Sequence, residues 1–142
     1  TKEFLEDTIT RNVDETTDIY ELAKGNYIHT PSVMLLNDFI IPDWFNKSPI
    51  GDWPLYMLTV RDRKIKKLDE KMAAYRAHDT SIWSGLSQEI RNEKTNTSIK
   101  LICDNLKLPE DVLRQLKSRL KIKKQKSLIQ KIILKLKSIF NI

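Results

Sequence analysis

The sequence predicts a mixed fold in which a short β-rich region precedes a set of helices. Residues 32–36 form an apolar, β-prone run, and residues 64–68 and 72–77 are typical of two short strands separated by an acidic turn. Beyond Gly85 the apolar spacing changes to that of amphipathic helices. We therefore expect an α/β protein, with helix and strand mixed in one chain and a helical C-terminal extension.

Length and composition agree with a folded domain. The chain has 142 residues, of which 40% are hydrophobic, and this is enough to build a core. The single cysteine, Cys103, lies in an apolar helical pattern and is expected to be a small buried side chain. A single cysteine cannot form a disulfide within the chain, and no Cys/His cluster has the spacing of zinc ligands. A reducing, cytoplasmic setting is therefore expected. No apolar run approaches the roughly 18 residues of a membrane-spanning helix.

The charge is divided unevenly along the chain. All nineteen acidic residues lie at or before Asp111, and with the fifteen Lys and Arg found there they give residues 1–111 a net charge of −4. Residues 112–142 contain ten Lys and Arg and no acid, which gives +10. Any argument for an acidic partner therefore concerns the tail.

Several helix ends are marked by capping residues. Asp18 should cap a short helix over residues 19–24, and Gly25 should end it. Residues 86–106 should form one or two amphipathic helices, and Pro109 should begin another. Loops and turns should connect these helices to the β-rich region.

Residues 47–58 place a candidate site at the start of a helix. Pro49 and Gly51 are turn residues, Asp52 is a good N-cap, and Pro54 is tolerated in a first helical turn. A carboxylate in this position has two uses. It can cap the helix, which is the commoner use, or it can take part in a reaction.

Several segments resemble the C-terminal half of a family 2 glycosyltransferase. In chain order they are Pro42-Asp-Trp-Phe45, Ser48-Pro-Ile-Gly-Asp-Trp-Pro-Leu55, Met72-Ala-Ala-Tyr-Arg-Ala-His78 and Ile82-Trp-Ser-Gly85. The similar bacterial enzymes have a GT-A fold and build surface polysaccharides. The resemblance implies transfer of a sugar from a nucleotide-sugar donor to a saccharide or lipid-linked acceptor, with inversion and with Mg²⁺ or Mn²⁺. Because no Asp-x-Asp metal motif occurs and the chain starts at Thr1, we expect a fragment that is inactive alone.

The resemblance also assigns roles to individual residues. Asp52 corresponds to the carboxylate proposed as catalytic base, and His78 to the histidine that faces the metal and the diphosphate. His29 lies in a loop that the resemblance places close to the meeting point of donor and acceptor. For both histidines a structural role stays open, since a lone histidine is often bonded to backbone.

Three further side chains are candidates for substrate contact. Arg76 precedes His78 by two residues, so on a continuous strand both would face one side, where Arg76 can contact phosphate or pair with Asp52. Trp53 and Trp83 can each stack on the apolar face of a sugar, or they can be core residues. The alternatives stay open for all three.

The sequence divides into three parts. Residues 1–85 are expected to be the C-terminal portion of the GT-A catalytic domain, residues 86–111 a helical extension, and residues 112–142 a basic amphipathic tail. From about residue 125, apolar side chains and lysines fall on opposite faces of a helix.

The tail can have more than one partner. Residues 114–142 can lie on an anionic membrane, which would hold the enzyme at the inner face of the cell membrane. The same helix can instead pack on the protein body or on a second copy of the chain. The alternative function is a non-enzymatic module that binds nucleic acid or self-associates, but the tail lacks interleaved aromatics, so nucleic acid is not expected.

Overall fold

The computed structural model describes residues 11–74, 83 and 85–120. The helices are α1 (Ile19–Ala23), α2 (Asp52–Val60), α3 (Gln88–Asn105) and α4, which is described over residues 110–120. The strands are β1 (Thr16–Thr17) and β2 (Ile65–Lys66), and 3-10 turns occupy Thr30–Ser32 and Asp43–Lys47. Helix and strand are therefore mixed, as predicted, while a GT-A sheet is not seen in the ranges described.

Helix α1 begins and ends where the sequence predicts. The carboxylate of Asp18 accepts hydrogen bonds from the backbone N–H groups of Tyr20 (3.1 Å) and Glu21 (3.3 Å). Gly25 leaves the helix with a φ of 147°, a value that side chains disfavour, and its N–H bonds to the Leu22 carbonyl at 3.1 Å. Both capping predictions are confirmed.

The sheet is a two-residue antiparallel ribbon. Thr16 lies opposite Lys66 and Thr17 lies opposite Ile65. Just outside the ribbon, the Lys64 ammonium pairs with the Asp18 carboxylate at 3.0 Å. The ribbon therefore joins the segment before α1 to the segment after α2, and β1 was not predicted because its sequence is polar and without period.

The core lies between the four helices. Each helix contributes buried apolar residues, and on α3 and α4 these recur at the three- and four-residue spacing of a helix face. The buried side chains of the core include Leu22, Ala23, Trp53, Tyr56, Met57, Ile99, Ile102, Val112 and Leu116. Helix α3 is continuous over 18 residues, with Ser87 accepting the Ile90 N–H at its start. The one or two helices predicted over residues 86–106 are therefore a single helix, Gln88–Asn105.

The predicted buried strand over residues 32–36 is wrong. Val33 is extended, and it and Leu35 pack partly against the core, whereas Met34 and Leu36 are 87% and 66% exposed. The alternation is that of a strand, but no backbone hydrogen bond joins residues 33–36 to another segment within the described chain. Without a neighbouring strand this segment cannot form a sheet, and the side chains of Met34 and Leu36 stay open to solvent.

The second predicted strand is also not formed where it can be seen. Residues 72–74 have no regular structure and Met72 is 68% exposed, while residues 75–77 lie outside the described ranges. The first strand of the pair is confirmed in part by β2, which is shorter than predicted.

The remaining C-terminal part is described only up to residue 120. The tail helix predicted from about residue 125 lies outside the described residues. None of the helices in the described ranges has the length and apolar content needed to span a bilayer.

Candidate functional site

Asp52 is the first residue of α2, and its cap position is taken by Gly51. Gly51 already has helical backbone angles (φ −89°, ψ −45°), and its carbonyl accepts the Leu55 N–H at 3.3 Å. The Asp52 side chain bends back so that Oδ1 accepts the N–H of Trp53 at 2.7 Å. The prediction that Asp52 is the N-cap is therefore wrong by one position, because the helix starts one residue earlier in its hydrogen bonding.

The loop between α1 and the first 3-10 turn closes over the Asp52 carboxylate. Asn26 Nδ2 donates to Asp52 Oδ2 at 3.2 Å, and Thr30 Oγ1 donates to the same oxygen at 3.3 Å. Asp52 is half-buried, while Asn26 and Thr30 are exposed. The carboxylate thus joins the start of α2 to a segment whose two donors precede Asp52 by 26 and 22 residues.

Local turns hold the two donor side chains in place. Asn26 Oδ1 accepts the N–H of Ile28 at 3.0 Å, which forms an Asx turn and leaves the amide group free to donate. The hydroxyl of Ser32 donates to the His29 carbonyl at 2.8 Å, which stabilises the 3-10 turn in which Thr30 lies. Each donor is therefore ordered by its own backbone before it reaches Asp52.

Tyr56 lies one helical turn after Asp52 and is 1% exposed. Burial raises the pKa of the Tyr56 hydroxyl; the neighbouring Thr30 hydroxyl opposes this shift, and the charge of Asp52 adds to it. Despite these neighbours, the Tyr56 hydroxyl makes no hydrogen bond of ordinary geometry within the part of the chain that the structure describes.

Trp53 is a core residue and offers no face to a substrate. Its side chain is 3% exposed, and its indole N–H donates to the Leu22 carbonyl at 3.1 Å. The guanidinium of Arg119 covers the ring at 5.0 Å from the centroid. Stacking of a sugar on Trp53 would need an exposed ring face, so the structural alternative fits this position.

Of the other predicted site residues, one lies near Asp52, one lies at an exposed turn, and two lie outside the described residues. His29 is half-buried and adjoins Thr30, so its loop is the one that reaches Asp52. A role of His29 near donor and acceptor stays a prediction. Trp83 is 43% exposed and lies at a turn whose carbonyl accepts the Leu86 N–H at 3.2 Å. Arg76 and His78 lie outside the described residues.

The described residues do not themselves provide a site for Mg²⁺ or Mn²⁺. No group of three His, Cys, Asp or Glu side chains in the described ranges is arranged to hold a metal ion. Two donors also point at Asp52 Oδ2, an arrangement that fits an anionic acceptor and opposes a cation at that oxygen. A metal site involving His78 would need ligands beyond the described part.

Sequence reasoning did not identify Asn26 or Tyr56 as part of the site. Tyr56 could have been found, because residues four apart lie on one helix face and Tyr56 follows Asp52 by four. The contact of Asn26 depends on how α1 packs against α2, and nothing in the local sequence indicates it.

Comparison with known proteins adds no relative to this account. Family models, curated proteins and solved structures were each compared with the chain, and none of the three comparisons finds a match.

Proposed function

We propose that this chain is part of a family 2 glycosyltransferase and that Asp52 is its catalytic base. The proposal is supported by the ordered segments that resemble the family and by one structural observation. That observation is the Asp52 carboxylate at the start of α2, held by Asn26 and Thr30 from the loop that contains His29. A carboxylate used only as a cap does not need two side-chain donors from another segment.

In the proposed reaction Asp52 takes the proton of an acceptor hydroxyl. The hydroxyl oxygen forms a bond to the anomeric carbon of the donor sugar, and the bond from that carbon to the diphosphate oxygen breaks. The diphosphate leaves with the bonding electron pair, and the configuration at the anomeric carbon is inverted. A positioned carboxylate of this kind contributes roughly 10²–10⁴-fold to the rate.

The leaving diphosphate would be bound by groups outside the described residues. His78 is the residue of this chain that we assign to the metal and diphosphate, and Arg76 to a phosphate oxygen. A Mg²⁺ or Mn²⁺ ion, when bound, would neutralise charge on the diphosphate. In this proposal the remaining ligands and the nucleotide-binding strands lie in a part of the enzyme that precedes residue 1.

The exposed apolar segment after the 3-10 turn supports a larger domain of GT-A type. Met34, Leu36 and Ile40 are 87%, 66% and 88% exposed, which is unusual for large apolar side chains so close together. Val33 is extended, and exposed and partly buried side chains alternate over residues 33–36, a pattern suited to pairing with a further strand. In the proposed enzyme, strands of the preceding half cover this segment.

The basic tail has a separate place in the proposal. The tail was predicted to bind from residue 114, but α4 packs on the core through Val112, Leu116 and Arg119, so residues 114–120 are not available for this role. The part of the tail after residue 120 would bind the anionic inner face of the cell membrane, where lipid-linked acceptors are found. The alternative function, a module that binds nucleic acid or self-associates through the tail, predicts no transfer activity.

The experiment that tests the proposed function is a transfer assay on the protein encoded by the complete reading frame. Radiolabelled nucleotide sugars are offered with saccharide and lipid-linked acceptors, with and without Mn²⁺. We expect transfer from one donor and inverted product, and we expect no turnover by residues 1–142 alone. Absence of transfer from every donor, together with tail-dependent binding of duplex DNA, would refute the proposal in favour of the alternative.

A further inference from the structure

The two oxygens of Asp52 have unequal hydrogen bonding. Oδ2 accepts from the Asn26 amide at 3.2 Å and from the Thr30 hydroxyl at 3.3 Å. Oδ1 accepts the Trp53 N–H at 2.7 Å and no other donor in the described part of the chain. A carboxylate oxygen has two lone pairs, so Oδ2 is fully used while Oδ1 retains one lone pair.

The Thr30 hydroxyl can also accept a hydrogen bond from Tyr56. Because it donates its only proton to Asp52, it can still accept a hydrogen bond. The Tyr56 hydroxyl is buried, needs an acceptor, and lacks one of ordinary geometry among the described residues. Tyr56 follows Asp52 by one turn of α2, and Thr30 bonds to Asp52, so both hydroxyls lie on the Asp52 face of the helix. A hydrogen bond from Tyr56 to Thr30 would satisfy the buried group.

We propose that Asn26 and Thr30 are positioning residues for Asp52, that Tyr56 donates a hydrogen bond to Thr30, and that Oδ1 receives the acceptor's proton. The proposal rests on the proposed function of Asp52 as a base. Donation by Tyr56 fixes the Thr30 hydroxyl so that its own proton points at Oδ2. The carboxylate then cannot rotate without breaking two bonds, and Oδ1 stays the available oxygen.

The bond between Tyr56 and Thr30 is tested in this chain alone by a double-mutant cycle. Thr30→Val and Tyr56→Phe remove one hydroxyl each with little change of shape. We expect their effects on unfolding in urea to be non-additive, with a coupling of about threefold or more in the unfolding equilibrium constant. The pair Thr17→Val and Tyr27→Phe, whose hydroxyls are 2.5 Å apart, is the coupled reference. Thr30→Val combined with Tyr27→Phe should be additive. If the effects of Thr30→Val and Tyr56→Phe on unfolding are additive, the proposed hydrogen bond between the two hydroxyls is refuted.

The positioning role is tested by kinetics of the complete enzyme. Thr30→Val should lower kcat by about tenfold or more with little change in KM, because a carboxylate held less firmly is less often in the reactive geometry. Thr30→Ser restores the hydroxyl and should bring kcat back to within about threefold of the unmodified enzyme. Thr17→Val, which removes a hydroxyl of the β1 strand, should leave kcat unchanged.

The outcomes are distinguishable from one another. Full kcat in Thr30→Val, or loss in Thr30→Ser equal to that in Thr30→Val, would overturn the positioning role while leaving Asp52 as the base. If the unmodified protein transfers no sugar, the proposed function fails and the catalytic part of this proposal fails with it. The cycle in the isolated chain still decides the bond between Tyr56 and Thr30 in that case.

Discussion

The guanidinium of Arg119 lies over the indole ring of Trp53, with its central carbon 5.0 Å from the ring centroid. It also donates to the carbonyl of Lys24 at the end of α1. Burial, with a smaller effect of the nearby Arg11, lowers the pKa of Arg119, but an arginine remains charged in proteins. One cation from α4 therefore contacts both α1 and α2.

Removal of this cation should destabilise the protein. We expect Arg119→Leu to lower the free energy of unfolding by about 1–3 kcal/mol, because a charged hydrogen bond and a cation–π contact are both lost. Arg119→Lys should recover less than half of the loss, since an ammonium has no planar face. The matched control is Arg114→Leu, at an exposed position of the same helix, which should change stability by less than about 0.5 kcal/mol in urea unfolding.

A side chain at position 25 should conflict with Arg119. A Cβ at Gly25 would lie 2.5 Å from Arg119 Nη1, and the backbone φ of 147° is itself unfavourable for any other residue. We expect Gly25→Ala to lower the melting temperature and to lower it less in an Arg119→Ala background. Gly51→Ala is the control, because its Cβ would meet nothing within 4 Å. Equal effects of the two alanines would contradict this contact.

Stability should fall in acid, and Asp18 should account for part of the fall. The Lys64 ammonium, and after it the backbone N–H groups of α1, hold the pKa of Asp18 below its usual value against the opposing effect of burial. A lowered folded-state pKa contributes stability above the unfolded-state pKa, and this stability is lost as pH falls through the folded-state pKa. Because the pair is exposed, we expect at most about 1 kcal/mol.

Urea unfolding from pH 7 to pH 3 measures this contribution. Asp18→Asn should make the acid-side slope shallower, and Lys64→Met should reproduce most of that change while the cap remains. An unchanged slope in both variants would assign the acid sensitivity to other carboxylates. One of these is Asp38, because the neighbouring Arg63 lowers the pKa of the Asp38 carboxyl.

Replacement of Met34 and of its neighbour Leu35 by serine should change the stability of the protein to different extents. Met34 is 87% exposed, whereas Leu35 packs partly against the core. We expect Met34→Ser to leave the free energy of unfolding within about 0.5 kcal/mol and to raise solubility, and Leu35→Ser to cost about 1–3 kcal/mol. Equal losses in the two variants would show that both side chains are buried in solution.

The sequence was a good guide where local chemistry decides the structure. Asp18 and Gly25 mark the ends of α1 because a carboxylate cap and a positive φ are satisfied within a few residues. It was a poor guide where a partner decides, as for residues 33–36, whose strand pattern is present without a neighbouring strand. The cap at Asp52 was misplaced by one residue because Gly51 adopts helical angles.

The site itself was predictable only in part. The choice of Asp52 and of the His29 loop as candidates came from the resemblance, and their roles in a reaction stay predictions. The burial of Trp53 follows from the packing of α1, α2 and α4 around it, and the bond of Asn26 to Asp52 spans 26 positions. Contacts of that range depend on tertiary packing, which local patterns do not encode.

The most direct test of the central proposal is the turnover of Asp52→Asn in the proposed complete enzyme. The amide keeps the shape of the carboxylate but cannot take up the acceptor's proton, so we expect kcat to fall by about 10²-fold or more while the affinity for the donor changes little. Asp43→Asn is the matched control, since Asp43 is also the first residue of a helical turn and is exposed. Near-normal kcat in Asp52→Asn would contradict the account and reduce Asp52 to a link between two segments.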